Sequence, residues 1–520
     1  MPPGPACMTC REKCRKCDRG RPDCQRCISK GLVCRGYPDQ FRFCGIASRG
    51  KWKNARVPTS DEMLQHVKSS ASASATGGKR SASGGASITP ATRRSKRLAI
   101  EDILVKPVPD TGDDIGALLG LEQTKTLLRH YDTFICPHQL AEIGDDVDNP
   151  YRAYILPLAR KQIGLLYAVL GFSAVHYGRL TENTILHDTT AVEYRVKAIR
   201  ALGEQIRQSQ ETSLSEEEQD AVFATIQILL LHDIAESGIS EHGIHITGAM
   251  SVCKSILVAD GFNEQRQRAV FFLGNLAWYF TWHIPHFTAN SDRLDIIRAL
   301  AGTRRLCFTQ DIREMIATAG SHIFELVNGC PREIFLIIGG ALDKAKEYKL
   351  GWINEDDFRS TLLSAKHELY SWDSKTKTYP SLDARWMSVA VAFQFACILH
   401  VHRLLDPLQP ANAPEIQAAV AKILDETAGI SADCTLIELL IMPLFMAGAD
   451  SLSPHSQYYV LSRFREIERR SGMRNPVPTD LLEQVWAVRA AQGPGQDQNI
   501  SWRDFTCFPD LTRQHDYLII

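Results

Sequence analysis

Cysteine placement constrains this chain more than any other feature. Eight of its fifteen cysteines fall within the first 44 residues, and the other seven are scattered over the remainder. Six of the eight repeat a single unit, C-x2-C-x6-C, first as Cys7, Cys10 and Cys17 and then as Cys24, Cys27 and Cys34. The opening Met1-Pro2-Pro3-Gly4-Pro5 lacks the apolar run of a secretory signal, so a disulfide scaffold is disfavoured and metal ligation is expected. Each C-x2-C turn can present two thiolates to one ion, and the third cysteine closes the site at about 2.3 Å from a tetrahedral zinc. Three ligands per unit leave each tetrahedron one short. Six sulfurs complete two tetrahedra only if two are shared, which implies a bridged cluster of two zinc ions per head. A segment this short has almost no apolar core, so zinc should supply most of its folding free energy, on the order of 10 kcal/mol or more. An alternative stays open, because Cys7, Cys10, Cys14 and Cys17 form two C-x2-C pairs of their own and would hold a single ion.

Arg11, Lys13, Arg15 and Lys16 lie on the short helical segment expected between Cys10 and Cys17. With them the string Ala6-Cys7-x2-Cys10-Arg11-x-Lys13-x2-Lys16-Cys17-Asp18-x3-Pro22-x-Cys24-x2-Cys27-x6-Cys34 resembles the fungal binuclear zinc-cluster transcription factors. The resemblance implies six ligands, Cys7, Cys10, Cys17, Cys24, Cys27 and Cys34, with Cys7 and Cys24 bridging and Pro22 shaping the loop between the halves. It also implies that the first helix enters the major groove of double-stranded DNA and reads a CGG triplet. Lysine and arginine donors suit the O6 and N7 acceptors of guanine. Cys14 departs from the pattern, since it stands where family members commonly carry the basic residue that contacts the base step. Reading then falls to Lys13, Arg15, Lys16 or a backbone carbonyl.

Charge divides the chain in the same place. The 520 residues sum to a net charge of −1, which by itself argues against a polyanionic partner. Residues 1–112 carry 22 Lys+Arg against 9 Asp+Glu, and the rest carries 37 against 51. Neutrality is therefore a cancellation between a basic head and an acidic body, the asymmetry of a polyanion-binding segment joined to something else. With 44% hydrophobic and 23% charged residues the chain is neither wholly disordered, collagen-like nor membrane-embedded. Its most apolar stretches, 163–177, 269–280 and 436–449, are short or interrupted by charge and read as buried core helices, so no membrane partner is expected.

Residues 69–92 are almost entirely Ser, Ala, Gly and Thr, a composition that cannot bury enough apolar surface to offset ordering entropy. A flexible tether is expected there. Before it, Arg42, Arg49, Lys51, Lys53 and Arg56 surround Phe41, Phe43 and Trp52, either as further phosphate contacts or as a solvated loop on the cluster. Lys79-Arg80 and, twelve residues on, Arg93-Arg94-Ser95-Lys96-Arg97 have the form of a bipartite signal for a nuclear import receptor, with a solvated charge run as the plain alternative. Residues 36–68 show no sustained heptad, so a coiled-coil dimer is not supported.

Beyond residue 112 apolar residues recur at three- and four-residue intervals, which predicts a large all-α domain of about fifteen helices. One stripe comprises Val192, Val196, Ile199, Leu202 and Ile206. Another helix is punctuated by Ser453-Pro454 at its start, Val460, Phe464 and Ile467 on its buried face, and Gly472 as its stop. Loops are expected at 209–218 and 406–414. Asn149-Pro150-Tyr151-Arg152, Gly171-Phe172-Ser173-Ala174-x-His176, Leu439-Leu440-x2-Pro443-Leu444-Phe445-x-Ala447-Gly448 and Arg465-Glu466-Ile467-Glu468-Arg469-Arg470-Ser471-Gly472-Met473 resemble the fungal-specific transcription factor domain. That family implies a regulatory role without a defined reaction.

Catalytic signals are weak. His232-Asp233, Glu241-His242 and His245 cluster in sequence without a recognised metal-ligand spacing, and a structural histidine is the favoured reading. Phe271, Phe272, Trp278, Tyr279 and Trp282 form an aromatic-rich helix, read first as core and second as the wall of an effector pocket. The expectation is a three-part chain. Residues 1–44 form the zinc head, 45–112 a basic and largely disordered linker, and 113–520 the all-α regulatory domain. The expected function is that of a nuclear transcription factor rather than an enzyme, with co-regulators among its partners. The competing reading is a zinc-dependent protein- or RNA-interaction module.

Overall fold

The computed structural model describes residues 10, 17, 24–30, 32 and 34, then 114–141, 149–183, 186–209, 211–212, 214–237, 239–240, 264–282, 310–349, 351–493, 498–506 and 516–517. The chain divides into two units, Met1–Thr89 and Pro90–Ile520, a boundary inside the segment expected to be linker. In the first unit the described helix is α1, Gln25–Ser29.

The second unit is built on two enclosed helices. Its chain enters through α2 (Ile115–Gly120) and α3 (Glu122–His130), then passes a π turn at Tyr131–Ile135 and the short α4 (Leu156–Ala159). The first enclosed helix is α5 (Ile163–Leu180), buried without interruption from Gly164 to His176. A helix apolar on every face must be covered on every face. Here α3, α6 (Ala191–Gln208) and α7 (Glu216–Glu236) supply the cover. A capping box starts α7, with Ser215 N donating to Glu218 Oε2 at 2.8 Å and Glu218 N donating to Ser215 Oγ at 3.4 Å. Next come α8 (Glu264–Trp282), α9 (Gln310–Ala317), α10 (Ile323–Asn328), α11 (Arg332–Lys349) and α12 (Glu355–Ser371). The second enclosed helix, α13 (Arg385–Leu405), is wrapped by α12, α14 (Pro414–Ala428) and α15 (Ile441–Ala449). The remaining helices are α16 (Pro454–Ser471) and α17 (Val477–Ala490).

The all-α expectation holds, with one small exception among the described residues. Strand β1 (Ile239–Ser240) pairs antiparallel with β2 (Asp516–Tyr517), Ile239 opposite Tyr517. Both α5 and α13 are long and apolar enough to cross a membrane by length and composition, but 78% and 72% of their apolar windows are buried inside the fold. The α13 stretch escaped the sequence reading because Arg385, His400, His402 and Arg403 break up its hydropathy near the ends.

The stripe expected on α6 holds for Ile199, Leu202 and Ile206, which pack on the core, and is corrected at Val192 and Val196. Val192 and Val196 are each 39% exposed, and the buried face is Ala191, Tyr194, Ala198 and Leu202. Close helix approach decides this. A Cβ at Gly171 of α5 would lie 3.3 Å from Ala191 O, and one at Gly164 would lie 3.0 Å from Ala201 Cβ. The two glycines of α5 let α6 approach closely with Ala191, Tyr194 and Ala198 inward, a rotation that leaves Val192 and Val196 on the outer side. By contrast α16 follows its punctuation: Ser453 caps it by accepting from Ser456 N at 3.0 Å, and Gly472 ends it in the left-handed region at φ 69°.

Candidate metal centre

Helix α1 begins on a metal-ligand candidate. Cys24 is its N-cap, and Cys27 N–H donates to Cys24 Sγ at 3.4 Å. Two further backbone bonds, Lys30 N to Arg26 O at 3.2 Å and Leu32 N to Cys27 O at 2.9 Å, turn the chain back after one helical turn and bring Cys34 toward Cys24 and Cys27.

Two sulfur triads result. The sulfurs of Cys10, Cys17 and Cys24 lie within 4.8 Å of one another, and so do those of Cys24, Cys27 and Cys34. Cys24 belongs to both. Cys10 Sγ stands 3.7 Å from Cys24 Sγ and 3.9 Å from Cys27 Sγ. Tetrahedral zinc with 2.3 Å bonds places its sulfurs about 3.8 Å apart, so this donor set fits the ion in both softness and spacing. Cys10, Cys24 and Cys27 are fully buried, and among the described residues Leu32 and Cys34 pack against them. Among the described residues, then, the centre of the head is made of cysteine side chains, which suits a metal-held fold.

Sequence reasoning missed Arg26, whose Nη1 donates to Cys10 Sγ at 3.5 Å across the two repeats. Its guanidinium therefore sits against the sulfur cluster and ties the second repeat to the first. The available signal was position, since Arg26 sits inside the second C-x2-C turn. The other sequence candidates lie outside the described residues: Cys7, Arg11, Lys13, Arg15 and Lys16, then Lys79, Arg80, Arg93, Arg94, Lys96 and Arg97. Cys14 and Pro22 lie outside them too.

In the body, His232 and Asp233 are buried on α7, where Arg195 of α6 forks between Asp233 and Glu236. That is an ion network joining two helices. Glu241, His242 and His245 lie outside the described residues. The aromatic helix is core: Trp278 packs on Phe335 and Phe393 at 5.7 and 5.8 Å between ring centroids, and Phe271 meets Tyr151 edge-on at 5.0 Å. The side chain of Trp282 lies outside the described set.

Two cysteine triads that share Cys24, in one chain with a large helical domain, fit a zinc-binding regulator of transcription. Residues 126–520 match the fungal specific transcription factor domain, and residues 5–43 match the fungal Zn(2)-Cys(6) binuclear cluster domain. The chain belongs to the fungal transcription factors that carry this pair of domains, and its cluster domain is a DNA-binding module that holds two zinc ions. No curated protein and no solved structure matches it.

Proposed function

We propose that this protein is a nuclear, sequence-specific regulator of RNA polymerase II transcription that reads a CGG-like triplet in duplex DNA. The observation that carries the reading is the membership of Cys24 in both sulfur triads, the arrangement a bridged two-ion head requires. In it one ion is held by Cys7, Cys10, Cys17 and Cys24, and the other by Cys7, Cys24, Cys27 and Cys34. Zinc supplies the cross-link that holds two short segments in one fold. Arg11, Lys13, Arg15 and Lys16 then face DNA, with phosphate contacts giving most of the affinity and one or two base contacts giving the preference. Residues 1–44 act as the reader, 45–112 as a tether whose two basic groups engage an import receptor, and 113–520 as the regulatory part that meets co-regulators. The body performs no reaction in this scheme.

Binding of the full chain to CGG-containing and scrambled duplexes at matched salt tests the proposal. A preference on the order of a hundredfold, lost on chelating zinc, is the expected result. Equal binding of both duplexes would favour a protein- or RNA-interaction module instead.

A further inference from the structure

A cleft of about 260 Å3 opens between the α10–α11 junction and the chain that links α12 to α13. Gly329 creates it. Its φ of 75° ends α10 abruptly, and a Cβ there would lie 2.8 Å from Leu439 Cβ, so no other residue makes this turn without displacing its neighbour. The turn returns Arg332 beneath α10. Its guanidinium forks onto Glu325, with Nε to Oε1 at 2.6 Å and Nη2 to Oε2 at 2.8 Å, and its other donors meet the Ala319 and Ser321 carbonyls. Glu325 and Arg332 thereby neutralise and saturate each other.

The groups left to meet a ligand are donors. Trp372 lines the cleft and is nine-tenths buried, yet its Nε1–H has no hydrogen-bond partner among the described residues. Native interiors rarely leave such a donor unmet, so this one calls for an acceptor. Lys377 Nζ stands 5.9 Å from the centre of the Trp372 ring and only loosely pairs with Glu333, at 3.6 Å. His322 lines the same wall, and Tyr379 and Trp386 add flat aromatic surface. Of the two carboxylates that line the cleft, Glu325 is taken up by Arg332, and Glu333, half exposed, meets Lys377 only at 3.6 Å.

We propose that this cleft binds a small aromatic carboxylate. Its ring lies among Trp372, Tyr379 and Trp386, and its carboxylate accepts from Trp372 Nε1–H and Lys377 Nζ. One ammonium and one neutral donor match a single negative charge better than a phosphate. The site belongs to the body alone and does not depend on how the head reads DNA.

The test is a nitrogen-15 tryptophan spectrum of the full-length protein with phenylacetate as probe. The Trp372 indole resonance, identified by its absence in Trp372→Phe, should move with millimolar phenylacetate and saturate. Lys377→Gln, at a partly exposed position that leaves the fold intact, should weaken binding about tenfold. Phenylacetamide and phenethylamine should move the resonance little. An unmoved Trp372 resonance, an equal response to either control compound, or unchanged affinity in Lys377→Gln would overturn the proposal.

Discussion

His130 Nε2 and His176 Nδ1 are 2.9 Å apart, joining α3 to α5, and His176 Nε2 lies 3.0 Å from the Ser471 carbonyl at the end of α16. A carbonyl only accepts, so His176 carries its proton on Nε2 and its Nδ1 accepts from His130 Nε2–H. Three helices are thus held by a relay that needs His176 neutral, because its Nδ1 must keep the lone pair that accepts from His130.

The relay makes stability pH-dependent. Burial lowers the pKa of His130 from 6.5 to about 3, aided by His176. Burial likewise lowers that of His176 to about 4, with His138 and Arg179 adding to the effect against the Ser471 hydrogen bond. Depressed histidine values mean that the unfolded chain binds protons first, so stability is full above about 6.5 and falls as pH drops toward 4. Each histidine contributes about 1.4 kcal/mol per pH unit in that window. Asp220 acts in the opposite sense, because burial raises it to about 6 and protonation there favours the folded state. Urea midpoints at about pH 7.5 and pH 5.5 should differ, and His176→Gln, which can donate and accept in the same places, should flatten the slope by about one proton.

Gly472 and Gly351 separate backbone strain from crowding. Both have φ of 69°, but a Cβ at Gly472 would lie 2.9 Å from His176 Nε2, whereas one at Gly351 meets nothing within 4 Å. Gly351→Ala should cost only the left-handed strain, about 1 kcal/mol, and Gly472→Ala should cost about 2–4 kcal/mol by thermal unfolding.

Glu325 is buried beside Arg332, and removing one partner strands the other. Arg332→Met should destabilise the body by about 3–5 kcal/mol, and adding Glu325→Met should recover much of the loss. If the double variant proved no better than the single, the pair would not be the source of the cost.

In the head, Cys24, which both triads share, should stand apart from Cys34, which belongs to one. Cys24→Ser should lose both zinc ions, whereas Cys34→Ser should retain one with weakened affinity, as read by metal analysis after dialysis. Arg26→Ala should keep the stoichiometry and reduce zinc affinity roughly tenfold.

Much of this molecule was legible in one dimension. A repeated cysteine unit has a small set of possible metal geometries, so six ligand candidates and a shared sulfur followed from spacing alone. Ser453-Pro454 and Gly472 marked their helix because caps are local chemistry, set by a few neighbouring atoms. The charge split between head and body was likewise a matter of counting.

Other features depend on which helices touch. The face of α6 was read rightly at Ile199, Leu202 and Ile206 but not at Val192 and Val196, because the approach of Gly164 and Gly171 on α5 sets the rotation that brings Ala191, Tyr194 and Ala198 inward. Arg26 belongs to the sulfur cluster through a contact to the other repeat. The Gly171–His176 and Arg465–Met473 strings were separate signals in sequence, and they are one site in space, since His176 reaches Ser471 across 295 positions. The cleft at Trp372 has no sequence signature at all, because it is the space left between two turns. Sequence by itself determined the metal chemistry, the charge division and the helix ends, all of which act over a few residues. Tertiary structure decided which faces are buried and which buried groups meet, because packing is settled by distance in space.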